Sequence, residues 1–139
     1  MARPRHLLVL AALALVVTVA AVAPAPARAD DNGDVRITRS CTAGSTVGLR
    51  VRKRDGHLIR VDVDLRAARR GTAWLVTIVH ERRVVLRATR RTGAGSRSLS
   101  MRIAIPDWPG RDTVTVRALG QRGEICRAVA TLADAGGTD

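Results

Sequence analysis

Apolar and polar residues alternate with a period of two along most of the chain. In residues 59–65, isoleucine, valine and leucine occupy the odd positions, while arginine and aspartate occupy the even ones. The same alternation recurs in residues 47–52, 98–105 and 113–118. A strand with one buried and one solvated face produces this pattern, whereas an amphipathic helix repeats every three or four residues. The chain is therefore predicted to be an all-β protein.

Turn-forming residues separate the alternating runs. They lie at Asp55-Gly56, Arg70-Gly71 and residues 93–95, 106–110 and 120–123. Short strands with turns at such spacing are typical of an antiparallel sandwich, here one of seven to eight strands. The turn at Gly56 also predicts a register. A three-residue loop, residues 55–57, places Val51 opposite Val61 and keeps apolar residues on one face, with Gly56 in the left-handed conformation.

The first 29 residues have the composition of a secretory signal peptide. A basic start precedes an apolar stretch at residues 7–23, and Ala27-Arg28-Ala29 provides small residues at the positions that a signal peptidase reads. The alternative is an uncleaved membrane anchor, since this stretch of 17 residues, interrupted only by Thr18, is near the lower limit for a span. Cleavage predicts a secreted or envelope-associated domain, residues 30–132, with no integral span and a flexible tail, residues 133–139.

The chain has two cysteines, Cys41 and Cys126, and both lie in the predicted exported domain. Export places a protein in an oxidising compartment, where two cysteines usually form a disulfide. We therefore predict that Cys41 is bonded to Cys126. No further cysteine or histidine lies at ligand spacing around them, so no metal site and no cofactor are predicted.

Aromatic residues are almost absent, since the chain has two tryptophans and neither tyrosine nor phenylalanine. Trp74 is predicted to fill the core. The predicted strand over residues 73–79 is apolar on both faces. Its Leu75 and Val79, extended by Val85 of the following run, form an apolar stripe on the other face, which predicts either a partner-contact surface or burial under a loop or tail. Trp108, between two prolines, is predicted either to contact a sugar or partner or to close the end of the sandwich.

No constellation of catalytic residues is evident in the sequence. His57 and His80 each lie beside a predicted turn and are interpreted as exposed. Asp62 and Asp64 share one strand face, but neighbouring arginines favour their ionised forms, so they are interpreted as salt-bridge partners. The protein is therefore predicted not to be an enzyme.

The chain is strongly basic, with a formal net charge of +12 and arginine as nearly all of its cations. Removing the predicted signal peptide takes away three arginines and leaves 21 basic against 12 acidic residues, or +9. Arginine grips phosphate and carboxylate in a bidentate manner, so its clusters are candidates for a polyanion-binding surface, although solvated strand faces and protection of edge strands are the favoured explanation. The candidate polyanion-binding residues are Arg50, Arg52, Lys53, Arg54, Arg82 and Arg83.

Several short motifs occur in a familiar order. They are Arg54-Asp55-Gly56, Gly71-x-x-Trp74, Thr89-Arg90-Arg91-Thr92, Asp112-x-Val114-x-Val116-x-Ala118 and Gly123-x-x-Cys126-Arg127-Ala128. Over about residues 41–130 the chain resembles small exported immunoglobulin-like β-sandwich proteins of high-GC Gram-positive bacteria, whose function is unassigned. The resemblance implies an immunoglobulin-like sandwich and assigns no site.

The expected function is that of a non-catalytic binding or cell-envelope-associated module. Its partner is expected to be an anionic envelope polymer or another secreted protein. The alternatives are a polyanion-binding surface protein that uses its arginine clusters, and a small secreted enzyme or inhibitor whose site is built from loops.

Overall fold

The structure, a computed structural model, describes residues 28–30 and 33–133 of the chain. Nearly all of the predicted signal peptide, residues 1–29, lies outside the described residues, as do residues 134–139 of the predicted tail. No helix in the described part of the chain is long and apolar enough to cross a membrane.

Nine strands and one short 3-10 turn make up the regular structure of the described residues. The strands are β1 Arg28–Asp30, β2 Asp34–Ser40, β3 Thr46–Arg54, β4 Leu58–Arg66, β5 Ala73–His80, β6 Arg83–Arg91, β7 Ser98–Pro106, β8 Asp112–Gly120 and β9 Ile125–Leu132, with the 3-10 turn at Gln121–Gly123. The prediction of an all-β protein is confirmed. Strand β1 falls at the end of the predicted signal peptide, and cleavage after Ala29 would remove two of its three residues.

The strands form two antiparallel sheets. The five-stranded sheet has the order β1-β2-β3-β4-β7, and the four-stranded sheet has the order β6-β5-β8-β9. Apolar side chains from both sheets form one buried cluster between them. Each sheet therefore has an inner face in the core and an outer face toward solvent, which is the arrangement that the alternation predicted.

The register between β3 and β4 follows the predicted three-residue loop. Val51 lies opposite Val61, and Arg54 lies opposite Leu58. Gly56 has a φ of +78°, in the left-handed region predicted for it. This register places the charged residues of both alternating runs on the outer face of the sheet. They are Arg50 and Arg52 in β3 and Arg60, Asp62 and Asp64 in β4.

Trp74 is the largest side chain of the core and is fully buried, as predicted. It lies opposite Gly120 in the pairing of β5 with β8. A β-carbon built at Gly120 would be only 2.7 Å from the indole Cζ3 atom. Gly120 is therefore needed for the close approach of the ring, not for an unusual backbone conformation.

The prediction for His80 is wrong, because this residue is fully buried, whereas His57 is exposed as predicted. Strand β5 extends through His80, which lies on the same inward parity as Trp74, Val76 and Ile78. The alternation that places these residues in the core therefore places the histidine there too.

Cys41 and Cys126 form the predicted disulfide. Cys41 follows β2 in the five-stranded sheet and Cys126 lies in β9 of the four-stranded sheet. Beside it, the Thr42 amide donates a hydrogen bond to the Ile125 carbonyl at 3.0 Å. The disulfide thus joins the two sheets covalently along one edge of the sandwich.

Candidate functional site

A groove of about 910 Å³ crosses the outer face of the five-stranded sheet. It extends over β2, β3, β4 and β7, whose outward-facing residues are polar because their inward-facing ones form the core. Five arginines and two aspartates, Asp62 and Asp64, contribute to its lining, a net of three positive charges. The arginines are Arg36, Arg50, Arg52, Arg66 and Arg102. The groove is therefore cationic.

The floor of the groove is a row of short side chains across four strands. Thr38 lies opposite Gly48, Gly48 opposite Asp64, and Asp64 opposite Ser100. We call these four residues the floor row. Ser100 Oγ donates a hydrogen bond to Asp64 Oδ1 at 2.5 Å. One adjacent row carries Arg36, Arg50 and Arg102 and the other carries Arg66, so the floor row lies lower than these long side chains.

Arg50 is held in place by an ion pair on the same face. Its Nε donates to both carboxylate oxygens of Asp34, at 3.0 Å and 2.7 Å, and its Nη2 donates to Oδ2. The hydrogen bonds from Arg50 hold the pKa of Asp34 below its ordinary value, although burial of the carboxyl opposes this. Arg50 thus has a fixed position at the side of the groove.

Asp62 is the centre of a second ion-pair network. Arg102 Nε donates to Asp62 Oδ1 at 2.6 Å, Arg60 Nε lies 3.4 Å from the same atom, and Arg52 Nη2 lies 3.6 Å from Oδ2. Burial raises the pKa of Asp62, but the hydrogen bond from Arg102 and the surrounding arginine charges outweigh it, so the pKa is lowered overall. One carboxylate therefore faces three guanidinium groups.

Among the described residues, three arginines of the groove lack an ion pair or a hydrogen bond that their guanidinium groups could form. No described carboxylate lies within ion-pair distance of Arg36 or Arg66, and both side chains are exposed. Arg52 Nε is buried and has no hydrogen-bond partner within the described part of the chain. Burial, followed by the charges of Arg60 and Arg50, lowers the pKa of Arg52. An added anion would relieve this concentration of positive charge.

The six residues predicted to bind a polyanion do not lie on one face. Arg50 and Arg52 line the groove, and Arg54 borders a smaller neighbouring depression with Arg60 and Arg102. Lys53 has the opposite parity, and its Nζ lies 3.4 Å from Asp107 Oδ2. The remaining two, Arg82 and Arg83, lie at the turn between β5 and β6 in the other sheet.

Sequence reasoning missed Arg36, Arg66 and Arg102 as groove residues. They share the outward parity of Arg50, but they belong to β2, β4 and β7. The alternation indicated that Arg36 and Arg102 point outward, whereas Arg66 was interpreted as part of a loop. Strands β4 and β7 lie far apart in the sequence, and no sequence feature predicted that they pair. The three arginines could therefore not be assigned to one site.

The four residues predicted for partner contact also lie apart. Leu75 and Val79 lie on the outer face of the four-stranded sheet and are half-buried. Val85 is not on that face but packs against the core, because a β-bulge shifts the register at Val79 and places Val84 opposite it. Val84, with 61% of its surface exposed, takes the position expected for Val85.

Trp108 lies against the end of the sandwich, the second of its two predicted placements. Its ring stacks on the His80 ring at 4.4 Å between centroids, and the Arg83 guanidinium lies 5.1 Å from the indole centroid. The cation and both rings form one packed unit. Much of the indole is therefore committed to contacts within the chain.

A buried histidine–aspartate pair lies beneath this ring. His80 Nε2 and Asp112 Oδ1 are 2.7 Å apart, and both side chains are almost completely buried. Burial raises the pKa of Asp112 and the nearby Asp107 adds to this, whereas the hydrogen bond with His80 opposes it. Because neither group reaches the surface, the pair stabilises the end of the sandwich and does not present a base to a substrate in this conformation.

No group of three or more histidine, cysteine, aspartate or glutamate residues in the described ranges is placed to hold a metal ion. Comparison of the chain with protein-family models, with curated proteins and with solved structures found no match in any of the three.

Proposed function

We propose that the protein is an exported, non-catalytic β-sandwich module that binds an anionic ligand in the groove. The observation that carries this proposal is the excess of guanidinium groups over carboxylates, five against two, in one depression of the sheet surface. Arg50 is paired with Asp34, and Arg52 and Arg102 are paired with Asp62, but Arg36 and Arg66 add two further guanidinium groups to the same face. Here they converge on a shared volume that is large enough for several residues of a polymer.

The chemistry of arginine suits this task. Its planar guanidinium donates two parallel hydrogen bonds to a carboxylate or phosphate. A depression lined by one sign of charge focuses the field and raises the local concentration of the opposite ion. The pairing of Arg50 with Asp34 fixes one side of the groove, while Arg36 and Arg66 retain donors that an incoming anion can accept from.

The extracytoplasmic location rests on two features. Residues 1–29 have the composition of a signal peptide. The disulfide between Cys41 and Cys126 fits an oxidising compartment. In that compartment the accessible polyanions are polymers of the cell envelope, so we place the protein in association with the envelope.

We also infer that the sandwich is immunoglobulin-like. The order β6-β5-β8-β9 corresponds to strands C′, C, F and G of immunoglobulin domains, in which strand C carries a buried tryptophan as β5 carries Trp74. The disulfide departs from that pattern, because Cys126 lies in the last strand, β9. Amide contacts measured by NMR between β5 and β8, with none between β5 and β9, test this strand order.

Two matched double variants test the proposal that the groove binds anions. Replacing Arg36 and Arg66 with glutamine removes two charges from the groove. Replacing Arg117 and Arg127 with glutamine removes two exposed charges from the outer face of the other sheet. If each lost contact is worth about 0.7 kcal/mol, the groove variant binds an anionic polymer roughly tenfold more weakly.

The measurement is a binding titration with polygalacturonate across a range of salt concentrations, with neutral dextran as the reference polymer. We expect steep salt dependence for the wild type, a shallower dependence for the groove variant and wild-type behaviour for the control. Equal weakening of both variants would show that net charge alone drives binding. Turnover in a hydrolase screen that is lost on replacing His57 or His80 would contradict the non-catalytic assignment.

A further inference from the structure

We infer that the ligand of the groove is an acidic polysaccharide, a polymer that carries both anionic groups and free hydroxyls. This inference rests on the proposed anion-binding function and specifies its ligand class. It comes from the floor row, which offers hydroxyls and a carboxylate where a site built for a simple polyanion would offer further cations.

The Asp64 carboxylate is the decisive group. It is exposed on the groove floor, and within the described residues it accepts a hydrogen bond from the Ser100 hydroxyl. A carboxylate has about four acceptor sites, so most of its capacity remains for donors on a ligand. Sugar hydroxyls are such donors. Phosphodiester and polycarboxylate chains without hydroxyls have none and would be repelled by this charge.

Cations flank the floor row on both sides. Two residues along the strands in one direction lies the row of Arg36, Arg50, Asp62 and Arg102, which has a net positive charge. Two residues in the other direction lies a row whose one cation is Arg66. Each of these rows is about 7 Å from the floor row, from the rise of an antiparallel strand. An extended polymer along the floor can therefore present hydroxyls to Asp64 and anionic substituents to arginines on either side.

Gly48 keeps this floor open. A β-carbon at Gly48 would meet the Asp64 carbonyl oxygen at 3.6 Å and the Asp64 Cβ at 3.7 Å, which are ordinary contacts. Packing therefore does not require glycine there, although glycine weakens a strand interior. Glycine in a strand often marks a place where a ligand approaches closely, and here it lies at the centre of the groove.

The groove lining also argues against nucleic acid. Single-stranded nucleic acid is usually bound by aromatic rings on which bases stack, and no aromatic residue lines the groove. Double-stranded nucleic acid offers mainly phosphates to a flat cationic surface, and Asp64 would oppose them. A hydroxyl-rich acidic chain uses both the arginines and the carboxylate.

The test compares polymers that differ in hydroxyl content, each added at the same total concentration of anionic groups. The purified protein is titrated with polygalacturonate, with polyacrylate, which has carboxylates and no ring hydroxyls, and with polyphosphate. We expect polygalacturonate to bind at least tenfold more tightly than the other two. In the variant Asp64→Asn, polyacrylate binding should strengthen and this preference should shrink severalfold.

A second variant, Gly48→Leu, fills the floor without changing the charge. It should weaken polygalacturonate binding at least tenfold and leave the melting temperature near that of the wild type. Thr115→Leu, on the outer face of the other sheet, is the matched control and should bind as the wild type does. Wild-type affinity in Gly48→Leu would overturn the inference.

The outcomes separate the ligand class from the underlying function. Equal affinity for all three polymers, or tightest binding of polyphosphate or DNA, overturns the polysaccharide inference and leaves anion binding in place. No binding of any polymer overturns both. A preference for polygalacturonate that Asp64→Asn reduces and Thr115→Leu preserves supports both.

Discussion

Substituting Gly120 with alanine adds one methyl group against the fully buried ring of Trp74. The new β-carbon would lie 2.7 Å, 2.9 Å and 3.0 Å from three carbons of the six-membered ring. These distances are well inside van der Waals contact, and the ring has no exposed surface into which it can shift. Overpacking of this kind costs about 1–3 kcal/mol. For a domain of this size that is a fall in melting temperature of about 4–12 °C.

Gly48→Ala is the matched control for this substitution. It makes the same chemical change in the interior of a strand, but its β-carbon meets Asp64 only at 3.6 Å and 3.7 Å. Removing glycine from a strand stabilises it by about 0.5–1 kcal/mol, so this variant should melt at or above the wild-type temperature. Thermal unfolding followed by circular dichroism measures both.

A double variant identifies the cause of the effect. Replacing Trp74 with phenylalanine removes the outer ring carbons that Gly120 faces, at the cost of a cavity. The effect of Gly120→Ala should then be smaller by about 1 kcal/mol in the Trp74→Phe background. Equal unfolding free energies for Gly120→Ala and Gly48→Ala, or strict additivity with Trp74→Phe, would refute the steric explanation.

Three further predictions concern stability. Replacing Cys41 and Cys126 with serine should lower the unfolding free energy by about 2–5 kcal/mol in denaturant titrations, and a loss below 1 kcal/mol would contradict a cross-linking role. Because the pKa of Asp34 is lowered in the folded state, its stabilisation is present above its unfolded pKa and is lost as pH falls through the folded value. Asp34→Asn should therefore flatten the acid side of the stability–pH curve, and an unchanged curve would contradict the ion pair. His80→Leu should cost about 1–3 kcal/mol by leaving Asp112 buried without its partner, and adding Asp112→Leu should recover part of that loss.

Much of the fold could be predicted because strand parity is a local property. The alternation identified the inward face of each strand, and the turn at Gly56 then gave the register of β3 with β4. Trp74 was assigned to the core for the same reason. The disulfide followed from the compartment implied by residues 1–29 and from the count of two cysteines.

The predictions for His80 and Val85 were wrong because their positions depend on the length and pairing of the strands, which the local alternation does not give. The position of His80 required the length of β5, which extends one residue beyond the predicted run. The position of Val85 required the β-bulge at Val79, which has no sequence signature in this hairpin. His80 keeps the inward parity of β5, whereas at Val85 a shift of one residue exchanges the inner and outer faces.

The groove could not be predicted as a unit. It requires β7 to lie beside β4, although β5 and β6 intervene and belong to the other sheet. Arginines that lie close together in the sequence, such as Arg52 and Arg54, predicted a cationic cluster within one segment. The groove instead brings together Arg36, Arg66 and Arg102 from three strands.

The most direct test of the central claim maps the bound ligand on the protein by NMR. Amide shifts are recorded while a short oligogalacturonate is added at low salt. We predict that the largest changes fall on β2, β3, β4 and β7, at the floor row and its flanking arginines. Changes confined to the turn at Arg82 and Arg83, or spread evenly over the arginines of both sheets, would contradict a binding site in the groove.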